Sequence, residues 1–391
     1  MKGHSAAATV VAAFALILAG CGAASNPPST SPSAAQSAPP SAAAPSIAKP
    51  QSSAAASTAA AKPSAAAPAT KPSTSALTVK VGGLGGTPDR GLWTGQDKGF
   101  FTQQGVNADV TLFKSFSEML PLLATGKLDV GAGGISPGFF NALLSGVNVK
   151  VVSDVTLTAA PPAGKHMGYG LMVRKDLEGQ VKTVADMKGR IIAVNGTQGI
   201  GDLQLNSILQ TAGLTSADVN VQAIPFPDAF AALSNKKIDG ALQVEPFITL
   251  GLQQNIAFPL ADLSKSMPNS PAQWVFYSTE FIQNQPDAGK RFLAGYIQSL
   301  RFIQDGWFKG MNHDEVVQLY AKHTQAKDPK SFEQQTPEQN EVDANINMQA
   351  LQQAEDYFVG HGWQKGKVDV NSVVDRTFGD YVRQTLGPYQ R

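Results

Sequence analysis

Gly134-Ile-Ser136-Pro-Gly138 has the Gly-x-Ser-x-Gly form that presents a serine nucleophile on a strand-to-helix turn. The chemistry would be acyl transfer, with the backbone N–H after the serine as one oxyanion donor. Here the residue after the serine is Pro137, which has no N–H. One missing donor costs about 3 kcal/mol of transition-state stabilisation. A hydrolase is therefore disfavoured, and Pro137 suits the first position of a helix. Ser136 and the backbone of Gly133, Gly134 and Ile135 are read instead as ligand contacts. A second glycine-rich turn, Gly196-Thr-Gln-Gly-Ile-Gly201, has the order of neither a P-loop nor Gly-x-Gly-x-x-Gly. It lets backbone approach a ligand ahead of a helix N-terminus, where free N–H groups favour an anion. Thr197, Gln198, Gly199 and Ile200 are its candidate contacts, with Asp202 as a cap.

Other candidates stand singly. Gly85-Gly-Thr-Pro-Asp-Arg90 offers Thr87 and Asp89, and Trp93 follows as a ring to stack on a flat ligand or to fill the core. Arg90 is read as bonding Asp89 at the surface in preference to an anion. Glu245-Pro-Phe247 ends a strand with a carboxylate that accepts from an amine or caps the next helix. Asp154 and Trp274 complete the set. The five histidines (4, 166, 313, 323 and 361) lack metal-ligand spacing, so neither a metal nor a cofactor is expected.

The elements that must position these residues alternate. Strands are expected at 77–84, 109–112, around Val130 and at 148–155, with helices at 92–104, 115–125 and from Pro137. Ser115 and Glu118 form a capping box. The pattern restarts with strands at 169–173, 191–194, 219–223 and 241–244 and helices at 200–212, 228–234 and 247–254. Trp274–Tyr277 reads as a return strand. Helices follow at 288–304, 314–323, 344–359 and 370–386. Such alternation predicts mainly parallel sheets covered on both faces. Leu122–Gly131 echoes Ala232–Ala241, each a helix end, a turn with an Asp (Asp129, Asp239), then a strand. The Asp residues are read as turn caps. The echo implies two similar α/β lobes, 77–168 with 275–391 and 169–274, and a ligand cleft between them.

The amino terminus has Lys2, no acid, and an apolar run at 9–18 too short for a bilayer, ending in Leu18-Ala19-Gly20-Cys21. This resembles the lipobox of bacterial lipoproteins, which makes 1–20 a signal peptide and Cys21 the lipidated residue. Cys21 is the one cysteine, so no internal disulfide or thiol cluster forms. Residues 21–76, nearly all Ala, Ser, Pro and Thr, form an expected disordered tether of about 40 Å or more. All four bases before Leu77 are lysines and no acid precedes it, which leaves 27 bases against 30 acids beyond. No basic patch suggests nucleic acid.

Lys98-Gly-Phe-Phe101, Leu123–Gly131, Gly146–Val151, Val184–Gly189, Ala212-Gly-Leu214 and Ile238–Phe247 stand in an order and spacing similar to one family. The chain resembles the nitrate/sulfonate/taurine and thiamine-precursor group of ABC-importer binding proteins. The resemblance implies a two-lobed periplasmic-binding-protein type II fold and no catalysis. It also implies a monomer that closes on a small anionic or aromatic solute and delivers it to a permease and ATPase from the outer side of the membrane. Closure is expected at Leu171–Arg174 and Trp274–Ser278. The family's thiamine-pyrimidine synthases carry a cysteine-rich iron motif that this chain lacks. A sensor or protein-recognition module on the same fold stays open as the alternative.

Overall fold

The computed structural model describes residues 76–324 and 327–390. Cys21, the expected signal peptide and residues 21–75 of the expected tether lie outside them. The chain divides into two units, Met1–Thr70 and Lys71–Arg391, and every element below belongs to the second. Its strands are β1 Leu77–Gly83, β2 Val106–Leu112, β3 Val130–Gly133, β4 Val149–Asp154, β5 Thr156–Leu157 and β6 Tyr169–Arg174. They continue as β7 Ile191–Val194, β8 Asn220–Ala223, β9 Gly240–Val244, β10 Ala257–Asp262, β11 Trp274–Ser278 and β12 Gln339–Asn340.

Two five-stranded sheets form, ordered β2-β1-β3-β11-β4 and β10-β6-β9-β7-β8. In each, one strand, β11 or β6, runs against the other four. Read from opposite ends, the two orders superpose, so each sheet with its helices is one lobe of the same design. Alternate side chains leave each strand on opposite faces, and both faces are covered. On the first sheet, Val79 and Val81 pack against Phe292 and Leu300 of helix Pro286–Lys309. The other face holds Phe116, Phe139, Trp274, Phe276 and Phe358. On the second, Leu171 and Val173 serve one core and Met172 the other. Each fully buried side chain of this size contributes about 1.5–3 kcal/mol.

The echoed aspartates have one job. Asp129 Oδ2 accepts from the Lys80 N–H of β1 at 2.8 Å, and its own N–H donates to the Lys80 carbonyl at 3.0 Å. Asp239 repeats this with Ile191 of β7, at 2.9 Å both ways. Each clamps the strand beside the one it precedes. Replacing either by alanine leaves a backbone donor unpaired and is expected to cost about 1–3 kcal/mol. Urea unfolding checks this, and a loss under about 0.5 kcal/mol in both variants contradicts it.

Several elements differ from expectation. The helix at 92–104 is two, Arg90–Asp97 and Phe100–Gln103, separated at Gly99, whose φ of 70° breaks the helix. Ser115 makes no side-chain cap bond; Glu118 instead accepts from the Lys114 N–H at 3.2 Å. The helix at 370–386 is two, Val370–Val373 and Thr377–Leu386. β10 escapes sequence reading because Pro259 interrupts it, tolerable because β10 is an edge strand. Leu171–Arg174 and Trp274–Ser278 lie inside the two sheets, hydrogen-bonded on both sides, and so are not free connections. The chain crosses between sheets at 155–168 and 263–273. Finally, the expected helix start at Ala344 is Met348. Before it, residues 335–347 form an extended strap whose β12 pairs with β5 at the first crossing.

Candidate functional site

Loops gather where the strands of each sheet end. Gly133, Trp274 and Asp154 lie in one row across β3, β11 and β4 at the carboxyl edge of the first sheet. The turns after β1 and β3 leave from the same edge. In the second sheet, residues 195–199 follow β7, and Glu245, joined to Pro246 by a cis peptide, follows β9. The two edges face one another. A Cβ placed on Gly134 would stand 3.3 Å from Cγ2 of Ile200. Ile200 and Leu203 pack onto the first lobe's core, and the Tyr357 hydroxyl donates to the Asp202 carbonyl at 3.4 Å. The two glycine-rich turns singled out in the sequence thus meet across the inter-lobe seam.

Ser136 is half-buried and caps helix Pro137–Leu144, its Oγ accepting from the Phe139 N–H at 3.4 Å. Thr197 and Gln198 are exposed; Gln198 has a φ of 54° and turns the loop toward helix Ile200–Gln210. Asp202 Oδ2 accepts from the Gly199 N–H at 3.3 Å, which confirms it as a cap. Burial holds its carboxyl above the usual range. Thr87 is half-buried in a short turn, with its carbonyl accepting from Arg90.

Six expected contacts are placed elsewhere. Asp89 is buried and closes its own loop, accepting from the Gly85 N–H at 2.5 Å; burial pushes its carboxyl up. Trp93 is core, stacked on His323 with ring centres 5.0 Å apart and edge-on to Tyr320. Gly133 is buried with Phe116 against it, and Ile135 is buried in the core beside Phe139. Trp274 is fully buried, with an unpartnered Nε1. Glu245 is held by the strap: Oε1 accepts from the Thr336 N–H and the Thr249 hydroxyl, both at 3.0 Å, and Oε2 from the Thr249 N–H at 3.1 Å. His166 Nδ1 stands 3.4 Å from the same carboxylate.

Arg90 likewise departs from a surface pair with Asp89. Its side chain is 1 % exposed and meets Glu338 Oε2 of the strap at 2.6 Å. Nε donates to Asn340 Oδ1 at 2.8 Å, and the terminal nitrogens to Thr156 Oγ1 at 2.5 Å and the Thr87 carbonyl at 3.0 Å. All its charge is spent on tying the strap to the first lobe, as Glu245 and His166 tie it to the second.

The strap is the functional element sequence reading missed. It also walls a cavity of about 270 Å³ together with Asp154 and the two crossings. Asp154 is 1 % exposed; Oδ2 accepts from the Asn347 N–H at 2.8 Å and Oδ1 has no hydrogen-bond partner. Burial, with Glu341 nearby as a lesser cause, pushes its carboxyl up to about 8. The signal was the run of amides and acids from Glu338 to Asn347, punctuated by Val342 and Ile346, which suits an extended segment with a wet and a dry side. Among the described residues no group of three or more His, Cys, Asp or Glu is gathered as for a metal ion, and no helix is long and apolar enough to cross a membrane.

Against known proteins, a candidate binding protein of Brucella abortus strain 2308 is 27% identical over 285 residues, 70% of this chain and 82% of its own. The alkanesulfonate-binding protein SsuA from Xanthomonas axonopodis pv. citri, solved with MOPS bound, aligns over 78% of this chain and all of its own, at 16% identity and a TM-score of 0.61. The desulfurization enzyme DszB aligns over 79% of this chain and 99% of its own, at 16% identity and a TM-score of 0.56. The shared architecture is the two-lobed periplasmic-binding-protein fold. Residues 89–305, more than half of the chain, match the family described as NMT1/THI5 like, and the protein belongs to that family.

Proposed function

We propose that the protein is an extracytoplasmic solute-binding protein of the ABC-import type, anchored through a lipid on Cys21, that captures a small molecule between its lobes and delivers it to a permease. The observation that carries this reading is the meeting of the turn at Gly134–Ser136 with the turn at Thr197–Ile200 across the seam. Both are glycine-bearing exits from strand ends into helices, which lets backbone from both lobes approach a ligand in the seam. Family membership and the alkanesulfonate-binding neighbour support it. Thr87, Gly134, Ser136, Thr197, Gln198 and the backbone of Gly199 are the proposed contacts.

The ligand is a small anion or an aromatic acid held by backbone dipoles and hydroxyls, since Arg90 is already paired with Glu338. Lobe closure turns on the crossings at 155–168 and 263–273. The test is a thermal-shift screen of the full chain against alkyl and aryl sulfonates, nitrate, pyrimidines and carboxylates. A true ligand at 1,000 times its Kd stabilises by about 4 kcal/mol. Gly134→Val adds a side chain where only 3.3 Å separates the Cβ position from Ile200. Overpacking of this kind costs about 1–3 kcal/mol, so affinity for the ligand should fall roughly 5- to 150-fold with the fold retained. Unchanged affinity in Gly134→Val would remove the seam as the site.

A further inference from the structure

The cavity of about 270 Å³ at the crossings has a composition unlike the seam. Asp154 and Glu341 bring two carboxyl groups to its wall, and Asn269, Asn345, Asn347 and Gln339 bring amides. Its remaining lining residues are aliphatic, and none of the eight is basic. Arg383 stands 3.5 Å from Asn345 Oδ1, but it is outside the wall and bonds the Asp343 and Ala344 carbonyls. The walls come from three separate stretches of chain: the end of β4 with β5, the second crossing, and the strap. They are stitched together by Asp154 N–H to the Asn345 carbonyl at 2.9 Å and by Glu341 N–H to the Val155 carbonyl at 2.7 Å. The Asn347 amide also reaches the Asn269 carbonyl at 3.2 Å. Two features mark the cavity as more than a gap between them. Asp154 is almost fully buried, and among the described residues its Oδ1 forms no hydrogen bond of normal geometry, with the equally unpartnered indole N–H of Trp274 as the neighbouring donor. A buried polar group left so is destabilising. Glu341 meanwhile spends Oε1 on the Asp343 N–H and the Asn345 amide, at 2.8 and 3.1 Å, with no bond formed by Oε2 to another protein group.

We infer that this cavity is a second binding site, for a small organic cation whose N–H groups pair with the carboxylates of Asp154 and Glu341. An ammonium group supplies the donors and the positive charge that the wall lacks, and the amides accept or donate to a short polar tail. The same cation would oppose both causes that hold the Asp154 carboxyl in its protonated form, namely burial without a counter-charge and the neighbouring Glu341.

The test uses the full chain and four chloride salts at matched ionic strength: ethanolammonium, putrescine, tetramethylammonium and calcium, with sodium as the blank. Titration calorimetry and thermal shift are read together. The expected result is saturable binding of ethanolammonium or putrescine, weakened at least tenfold in both Glu341→Gln and Asp154→Asn and at least tenfold weaker for tetramethylammonium, which has charge but no N–H. Gly134→Val should bind the same cation as well as the unaltered chain does, which separates this site from the seam. The inference is overturned by no saturable effect beyond sodium, by binding that survives both carboxylate variants, or by calcium alone acting.

Discussion

Replacing Arg90 with methionine is expected to lower stability by about 3–5 kcal/mol, the usual loss when one partner of a buried ion pair is removed. Three acceptors lose their donor at once, Asn340 Oδ1, Thr156 Oγ1 and the Thr87 carbonyl, and Glu338 loses its ion-pair partner. Asn340 is buried and cannot turn to water, and an unpaired buried acceptor costs about 1–3 kcal/mol. The Glu338 side chain is 21 % exposed as a whole, although Oε2 itself is buried. Glu338→Gln should therefore cost less, about 1–2 kcal/mol, because the guanidinium keeps its three hydrogen bonds to Asn340, Thr156 and the Thr87 carbonyl. The loss in Arg90→Met should be local as well as global. With Arg90 gone, Arg301 still holds Val342 and Asp343, Gln304 still holds Asn340 and Thr336 keeps its second-lobe clasp, so the stretch 337–340 is the part that loosens, and its amide exchange should quicken before the sheets open. Urea unfolding and hydrogen exchange measure both. A variant within about 1 kcal/mol of the unaltered chain would mean that the strap is held by something other than this cluster.

The second large effect is a pH dependence set by Asp154. In the folded chain its carboxyl is pushed up to about 8, principally by burial, whereas in the unfolded chain it titrates at the ordinary value of 3.8. Below pH 4 both states hold the proton and Asp154 does not bias folding. Between about pH 4 and 8 the folded state holds a proton that the unfolded state has released. Stability then falls with rising pH by as much as 1.4 kcal/mol per pH unit, levelling off above 8. Asp154→Asn keeps an acceptor for the Asn347 N–H, removes the titration and should flatten this contribution. The variant should therefore be more stable than the unaltered chain at pH 8 and about equal to it at pH 4. Thermal melts across pH 4–9 give the comparison, and parallel curves for the two proteins would refute it.

These two residues show which parts of the molecule can be read from its sequence. The turns at Gly134–Ser136 and Thr197–Ile200 were legible because glycine, proline and serine mark a strand's exit into a helix whatever surrounds them. The aspartates at 129 and 239 were read as turn caps and are strand clamps instead, because their partners Lys80 and Ile191 lie 49 and 48 residues earlier in the chain. Arg90 and Glu245 were not legible as clasps. Asn340 lies 250 residues from Arg90, and Thr336 lies 91 residues from Glu245. Nothing local distinguishes a charge aimed at a solute from one aimed at a strap so far along the chain. Trp93 and Trp274 failed for a related reason. A large ring at a strand end suits a cleft or a core equally, and only the packing of His323, Tyr320 and the phenylalanine cluster decides it. The two strands expected to carry the hinge, β6 and β11, are interior antiparallel strands of the two sheets, and the chain passes between the sheets one element earlier, at 155–168 and 263–273.

The central claim is that the two carboxyl edges close on a small solute. Small-angle scattering on the full chain, with and without the compound that gives the largest thermal shift, tests it most directly. The radius of gyration should fall slightly on adding the ligand to the unaltered chain, and should not fall in Gly134→Val at the same ligand concentration. A bound ligand that leaves the radius unchanged in both proteins would contradict capture between the lobes.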